Sequence, residues 1–186
     1  MKIKKSFCGN RIGKMSNISF RIMSFLFKIY DLFHDPEKRT SSFDIKKGET
    51  IIDYGCGPGR YTRKLSELVG EKGKVYCVDV QKLAIDAINK KIVRYNLKNV
   101  IPVLANDNSN SLKSNIADKI LVLDMFHMVK NPSAFLKELH RLLKKDGILI
   151  IEDGHQPRKI TKKNILDSRL WKIIEENKYH LKCKKL

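Results

Sequence analysis

Residues 18–33 (ISFRIMSFLFKIYDLF) set Ile18, Ile22, Phe25, Ile29 and Phe33 three or four positions apart, the repeat of a helix with an apolar face. Pro36 stands just beyond and helps to end it. The pattern then changes to short apolar runs separated by longer amphipathic stretches. Thr50–Tyr54, Lys74–Val80, Val100–Leu104, Asp118–Leu123 and Ile148–Ile151 read as strands. Asp118–Leu123 is apolar on both faces, as expected of a strand covered by helices on each side. Helices are expected over about 60–69 and 82–96. Another runs from Asn131-Pro132, with Asn as N-cap, to near Lys145-Asp146-Gly147. A short helix near 160–167 precedes two last strands, Leu170–Glu175 and Tyr179–Lys184, which turn back on each other at Glu176-Asn177-Lys178.

Strands alternating with helices predict an α/β chain: a doubly wound, mostly parallel, seven-stranded sheet with a C-terminal antiparallel hairpin. The expectation is one domain over 1–186, with an N-terminal helical cover in 1–42 and the α/β core in 43–186. Ligands of such sheets sit beyond the carboxyl ends of the strands, where strand order reverses. The chemistry is therefore sought in the loops that follow strands.

The loop after the first strand reads Asp53-Tyr54-Gly55-Cys56-Gly57-Pro58-Gly59. Glycines at alternate positions permit positive φ and close approach of a ligand. The helix that follows offers unpaired N–H groups and a partial positive charge. A dinucleotide loop needs GxGxxG, but Arg60 holds the sixth position, and the phosphate-loop pattern GxxxxGK[ST] occurs nowhere. Asp53 beside the loop repels phosphate and suits a cation. The next strand ends in a second acid, Asp79, 20 residues after Gly59. A carboxylate there accepts hydrogen bonds from both hydroxyls of a ribose, each worth roughly 1.5–3 kcal/mol.

An acid, a GxGxG loop and a second acid closing the next strand resemble the first two motifs of the class I S-adenosylmethionine-dependent methyltransferases. The resemblance covers roughly residues 43–155 and implies their Rossmann-like fold. It also implies S-adenosyl-L-methionine as cofactor and S-adenosyl-L-homocysteine as product. By the same resemblance the cofactor is held by Asp53, Tyr54, Gly55, Cys56, Gly57 and Gly59, by Asp79 and Val80, by Asn106 and Asp107 after the third strand, and by Asp124 after the fourth. Asp53 would reach the methionine portion, Asp79 the ribose, and Asn106-Asp107 the adenine amino group. Lys144–Leu149 resembles the family's helix-turn-strand segment, with Lys145 and Asp146 where Pro and Gly are common.

For the acceptor, His155 and His127 are the candidate base or contact residues. Asp124 stands beside them, and Tyr30 and His34 join if the N-terminal helix closes over the pocket. Asp124-Met125-Phe126-His127 is unlike the Asn-Pro-Pro-Tyr tetrapeptide of methyltransferases acting on DNA bases or glutamine. It is closer to the small-molecule and lipid-quinone, type 11-like branch, so the expected acceptor is a small molecule or a lipid.

Charge widens this picture. The net charge is +18, and residues 1–47 hold 11 basic and 4 acidic side chains while 154–186 hold 10 and 3. Such ends attract nucleic acid or an anionic membrane, which keeps an RNA- or ribosome-directed methyltransferase as an alternative. Against this, 29 of the 38 basic residues are Lys, the poorer bidentate partner for phosphate. A non-catalytic, cofactor-binding subunit is the third reading. Phe20, Phe25, Phe27 and Phe33 of the first helix either cover the cofactor or, with their basic neighbours, rest on a membrane. The four cysteines are far apart without a CxxC pair, so no metal site and a reduced, cytoplasmic chain are expected. No apolar run approaches the ~18 residues of an integral membrane segment. Arg11, Lys14, Arg21 and Lys28 interrupt the N-terminal apolar region, against a secretion signal.

Overall fold

A computed structural model of the chain describes residues 16–33, 39–106 and 110–186. Helix α1 is Asn17–Phe33. Then follow β1 (Thr50–Tyr54), α2 (Thr62–Val69), β2 (Lys74–Asp79), α3 (Lys82–Tyr95), β3 (Val100–Leu104) and β4 (Ala117–Val122). The chain closes with α4 (Pro132–Leu142), β5 (Leu143–Glu152), α5 (Arg158–Asp167), β6 (Trp171–Glu176) and β7 (His180–Lys185). All seven strands form one sheet in the order β3-β2-β1-β4-β5-β7-β6. β1 to β5 are parallel, and the β6–β7 hairpin adds to β5 through the antiparallel β7.

Period-two alternation sends each central strand's side chains to two separate cores. Ile52, Tyr54, Ile120, Val122, Leu149 and Ile151 join Phe135, Leu136 and Leu139 of α4 and Ile165 of α5. Ile51, Leu121 and Ile150 join Leu65 and Val69 of α2 and Ile88 of α3. Helices on both faces explain why these strands are apolar on both sides over most of their length. Strand order reverses between β1 and β4, so the loops after these strands open on one crevice.

Most elements fall within a residue or two of their expected bounds. The exception is the segment expected to keep α4 helical as far as Lys145. The helix stops at Leu142, and β5 starts at Leu143, five residues before the expected strand. Leu142 and Leu143 are both fully buried in the same core, so the backbone turns to extended form there to keep the second leucine inside. The extra length becomes an irregularity, with Ala117 opposite Leu143 but Lys119 already opposite Ile148. Gly147 permits it, because a Cβ there would lie 2.7 Å from the Leu143 side chain and 3.0 Å from the Asp118 carbonyl oxygen.

Asp118 ties this region together. Its Oδ1 accepts from Lys144 Nζ at 2.7 Å and its Oδ2 from the Thr50 backbone N–H at 2.8 Å, joining β4 to the bulge and to the start of β1. Asp118→Ala leaves a backbone donor and an ammonium without their acceptor. Urea unfolding is expected to show a loss of about 1–3 kcal/mol with an unchanged slope.

Candidate functional site

The glycine loop is shaped by what each glycine approaches. Gly55 N–H (2.7 Å) and Cys56 N–H (3.2 Å) both donate to the Val78 carbonyl, fastening the loop to the end of β2. Gly55, Gly57 and Gly59 have φ of 79°, 52° and 77°, values that disfavour any side chain. Their surroundings differ. A Cβ on Gly55 would lie 2.7 Å from Met125 Cγ, and one on Gly59 2.5 Å from Ile88 Cδ1 of α3. A Cβ on Gly57 meets nothing within 4 Å and stands in open space.

Gly57 also lines a pocket, bounded with it by Asp53 and Asp79 and further on by Leu123, Asp124 and Met125. Phe20, Met23 and Phe27 of α1 form another wall. Gln81 Nε2 donates to Asn17 Oδ1 at 2.9 Å and holds the start of α1 against the β2 end.

The two acids are buried differently. Asp79 Oδ2 accepts from Gly57 N–H (2.9 Å) and Oδ1 from Gln81 N–H (2.8 Å). Burial raises its pKa, and these backbone donors oppose the rise. Asp53 is only 2% exposed, and its Oδ2 has no hydrogen-bond partner. Burial first, then the nearby Asp79 charge, push its pKa up to about 7.

A charge network closes the far end. Asp124 has the left-handed φ of 55°, and its N–H donates to Glu152 Oε2 at 3.2 Å. Arg39 bridges the two acids, with Nη2 2.9 Å from Glu152 Oε2 and Nη1 3.3 Å from Asp124 Oδ2. Arg60 lies 3.6 Å from Asp124, pairs with Asp31 of α1 and stacks 4.5 Å above the Phe27 ring. Glu152 is almost wholly buried, and burial pushes its pKa up to about 7 against the pull of Arg39.

Of the residues expected from sequence, Asp53, Tyr54, Gly55, Cys56, Gly57, Asp79, Val80 and Asp124 line this one pocket. Gly59 packs behind the loop against α3. Asn106 is exposed after β3 and is not among the lining residues, while Asp107 and His34 lie outside the described residues. His127 and His155 stack edge to face with ring centroids 4.8 Å apart, and neither lines the pocket. Burial, then His155, lower the pKa of His127. Tyr30 is half exposed, its ring 5.7 Å from the Arg60 guanidinium. Sequence reading missed Arg39, Arg60, Tyr61, Gln81 and Glu152. Only Glu152 left a signal, an acid closing an apolar strand just as Asp79 does.

The family model described as a methyltransferase domain matches residues 45–183. Among curated proteins, the demethylmenaquinone methyltransferase of Geobacillus stearothermophilus is 29% identical over 114 residues, 61% of this chain and 49% of its own. The ubiquinone/menaquinone biosynthesis C-methyltransferase UbiE of Coxiella burnetii is 22% identical over 131 residues, 70% of this chain and 52% of its own. The chain thus spans about half the length of these relatives. A SAM-dependent methyltransferase structure from Aquifex aeolicus superposes with a TM-score of 0.74 at 29% identity, covering 92% of this chain and 98% of that one. A TehB-like structure from Corynebacterium glutamicum gives 0.70 at 15% identity, covering 92% and 100%, a likeness of fold alone.

The buried acid has a measurable consequence for the ligand-free chain. The folded pKa of Asp53, about 7, lies above its ordinary 3.8, so unfolding releases a proton between these values. Asp53 therefore costs stability progressively as pH rises from about 4 to 7, and in full above that. Asp53→Asn is expected to raise the unfolding free energy by about 2–4 kcal/mol at pH 8, a gain that fades below pH ~4. Urea denaturation across that range checks it.

Proposed function

The chain belongs to the methyltransferase-domain family, and on that premise we propose that it transfers a methyl group from S-adenosyl-L-methionine to a small, apolar, quinone-like acceptor. The observation that carries this reading is the pairing of two acids in one pocket: Asp53 with a buried, unpartnered oxygen, and Asp79 beneath an open glycine loop. The residues present fit the cofactor. An ammonium group gives Asp53 Oδ2 its missing partner and returns the carboxylate to its ionised form. Asp79 has about four acceptor positions, and the backbone N–H groups of Gly57, Gln81 and Val80 do not use them all, which leaves capacity for a ribose hydroxyl. Tyr54, Gly55, Cys56, Gly57, Val80 and Asp124 line the same pocket and would hold the rest of the cofactor.

When bound, the cofactor supplies an already activated methyl group, so the chain's task is positioning and exclusion of water. Phe20, Met23, Phe27, Leu123, Met125 and Met128 give the pocket an apolar lining suited to a flat ring. The named activities of the demethylmenaquinone and ubiquinone/menaquinone relatives agree with such an acceptor. The two arginines of the charge network favour it over RNA. Arg39 is engaged by Asp124 and Glu152, and Arg60 by Asp31 and Asp124, so neither offers a free charge to a phosphate chain. Among the described residues no histidine lines the pocket, so this reading assigns the acceleration to geometry and desolvation rather than to His127 or His155.

Thermal-shift measurement with S-adenosyl-L-methionine and S-adenosyl-L-homocysteine tests the proposal. Both are expected to raise Tm, and stabilisation by neither refutes it. Gly57→Ala is expected to fold but to bind both at least tenfold more weakly, a loss of about 1.4 kcal/mol or more, because a side chain is strained at φ 52° and shifts a loop that lines the pocket. Turnover of a demethylated quinone by the wild-type chain is the matching test of the acceptor.

A further inference from the structure

Helix α1 has two apolar faces, and only one is used by the pocket. Phe20, Met23 and Phe27 point into it. Ile18, Ile22, Phe25, Leu26 and Ile29 are exposed to between 42 and 73%. At 3.6 residues per turn these five occupy an arc of about 100° on the side opposite Phe20 and Phe27. Scattered exposed apolar residues are ordinary, but five large ones forming one continuous stripe mark an interaction surface.

The charge around this stripe points to the occupant. Asp31 is the one acid in α1, and it is held in the Arg60 pair on the pocket side. The flank of the stripe carries the exposed Arg21 instead. The chain as a whole bears +18. Among the described residues no helix is long and apolar enough to cross a membrane, so insertion across a bilayer is not its use. An apolar stripe flanked by a basic residue and free of unpaired acids suits a helix lying in the plane of an anionic lipid surface. A second copy of the chain also carries +18, so two copies repel each other where an anionic lipid surface attracts.

We propose that the Ile18–Ile22–Phe25–Leu26–Ile29 face of α1 docks on an anionic lipid surface while the opposite face of the same helix walls the pocket. The helix then lies between bilayer and pocket, and an apolar acceptor dissolved in the bilayer enters beside it without crossing bulk water. That second statement rests on the acceptor reading above; the docking rests on the stripe alone.

Co-sedimentation of the full chain with vesicles of phosphatidylcholine, with and without phosphatidylglycerol, at physiological ionic strength tests the docking. Binding to the anionic vesicles is expected. The double variant Ile22→Ser/Phe25→Ser alters only exposed side chains, so it should keep its Tm and lose at least tenfold in partitioning. Phe25→Ser alone, expected to lose severalfold, decides the matter if the double variant melts lower. Three results would overturn the proposal: no sedimentation with anionic vesicles, equal sedimentation of wild type and variants, or a dimer in analytical ultracentrifugation that the variants abolish without any vesicle binding. Thermal shifts with S-adenosyl-L-homocysteine on the same samples separate the two claims. A retained shift with failed docking removes only the docking, whereas a missing shift removes the methyl-transfer reading whatever the vesicles do.

Discussion

A carboxylate near the end of β1, buried to 2% exposure and lacking a partner for one oxygen, is costly to keep in a folded chain. Asp53 stands there with a second acid, Asp79, close enough to raise its pKa further. The surrounding structure is arranged to hold this unfavourable pair. β1 and β2 run parallel in register from Thr50 opposite Lys74 to Tyr54 opposite Val78, bringing the two acids to the same edge of the sheet. The Val78 carbonyl then anchors the glycine loop above them. Burial disfavours the charge of either acid, so neither is explained by stability, which supports the proposed binding role.

At the other end of the pocket a buried acid is paired through one oxygen while its second oxygen, Glu152 Oε1, has no partner. Glu152 receives the Asp124 backbone N–H and the Arg39 guanidinium, and Asp124 adopts a left-handed backbone that non-glycine residues seldom take. Arg60 links Asp124 to Asp31 and stacks on Phe27, so one guanidinium couples the sheet to the helix that walls the pocket. The position of α1 thus depends on charge pairing and cation–π contact together with its apolar lining.

The sheet was legible in sequence because its signals are local. Short apolar runs such as Ile51-Ile52 and Ile120–Leu123 declare buried parallel strands, and Asn131-Pro132 declares a helix start. The structure adds the Asn131 Oδ1 bond to Ala134 N–H. The Asp53 loop and Asp79 were legible for the same reason, since a strand, its turn and the closing acid lie within a few residues. Arg39 was not, because its partners Asp124 and Glu152 are 85 and 113 residues away and nothing beside it in sequence marks the contact. The early start of β5 was hidden too. Lys144-Lys145-Asp146-Gly147 reads as a polar turn, and only the buried pair Leu142-Leu143 with the Asp118 bridge makes it part of the sheet. His127 and His155 illustrate a different limit: following the right strands placed them near the crevice but could not say which way their rings turn.

The central claim is that Asp53 waits, partly protonated near neutral pH, for a cation. Calorimetric titration of S-adenosyl-L-homocysteine at pH 7, in buffers of differing ionisation enthalpy, measures the protons exchanged on binding. With a free-state pKa of about 7, Asp53 should release on the order of half a proton as the ammonium arrives, and Asp53→Asn should abolish that release. Binding with no proton release, or with the same release in the variant, would contradict the account.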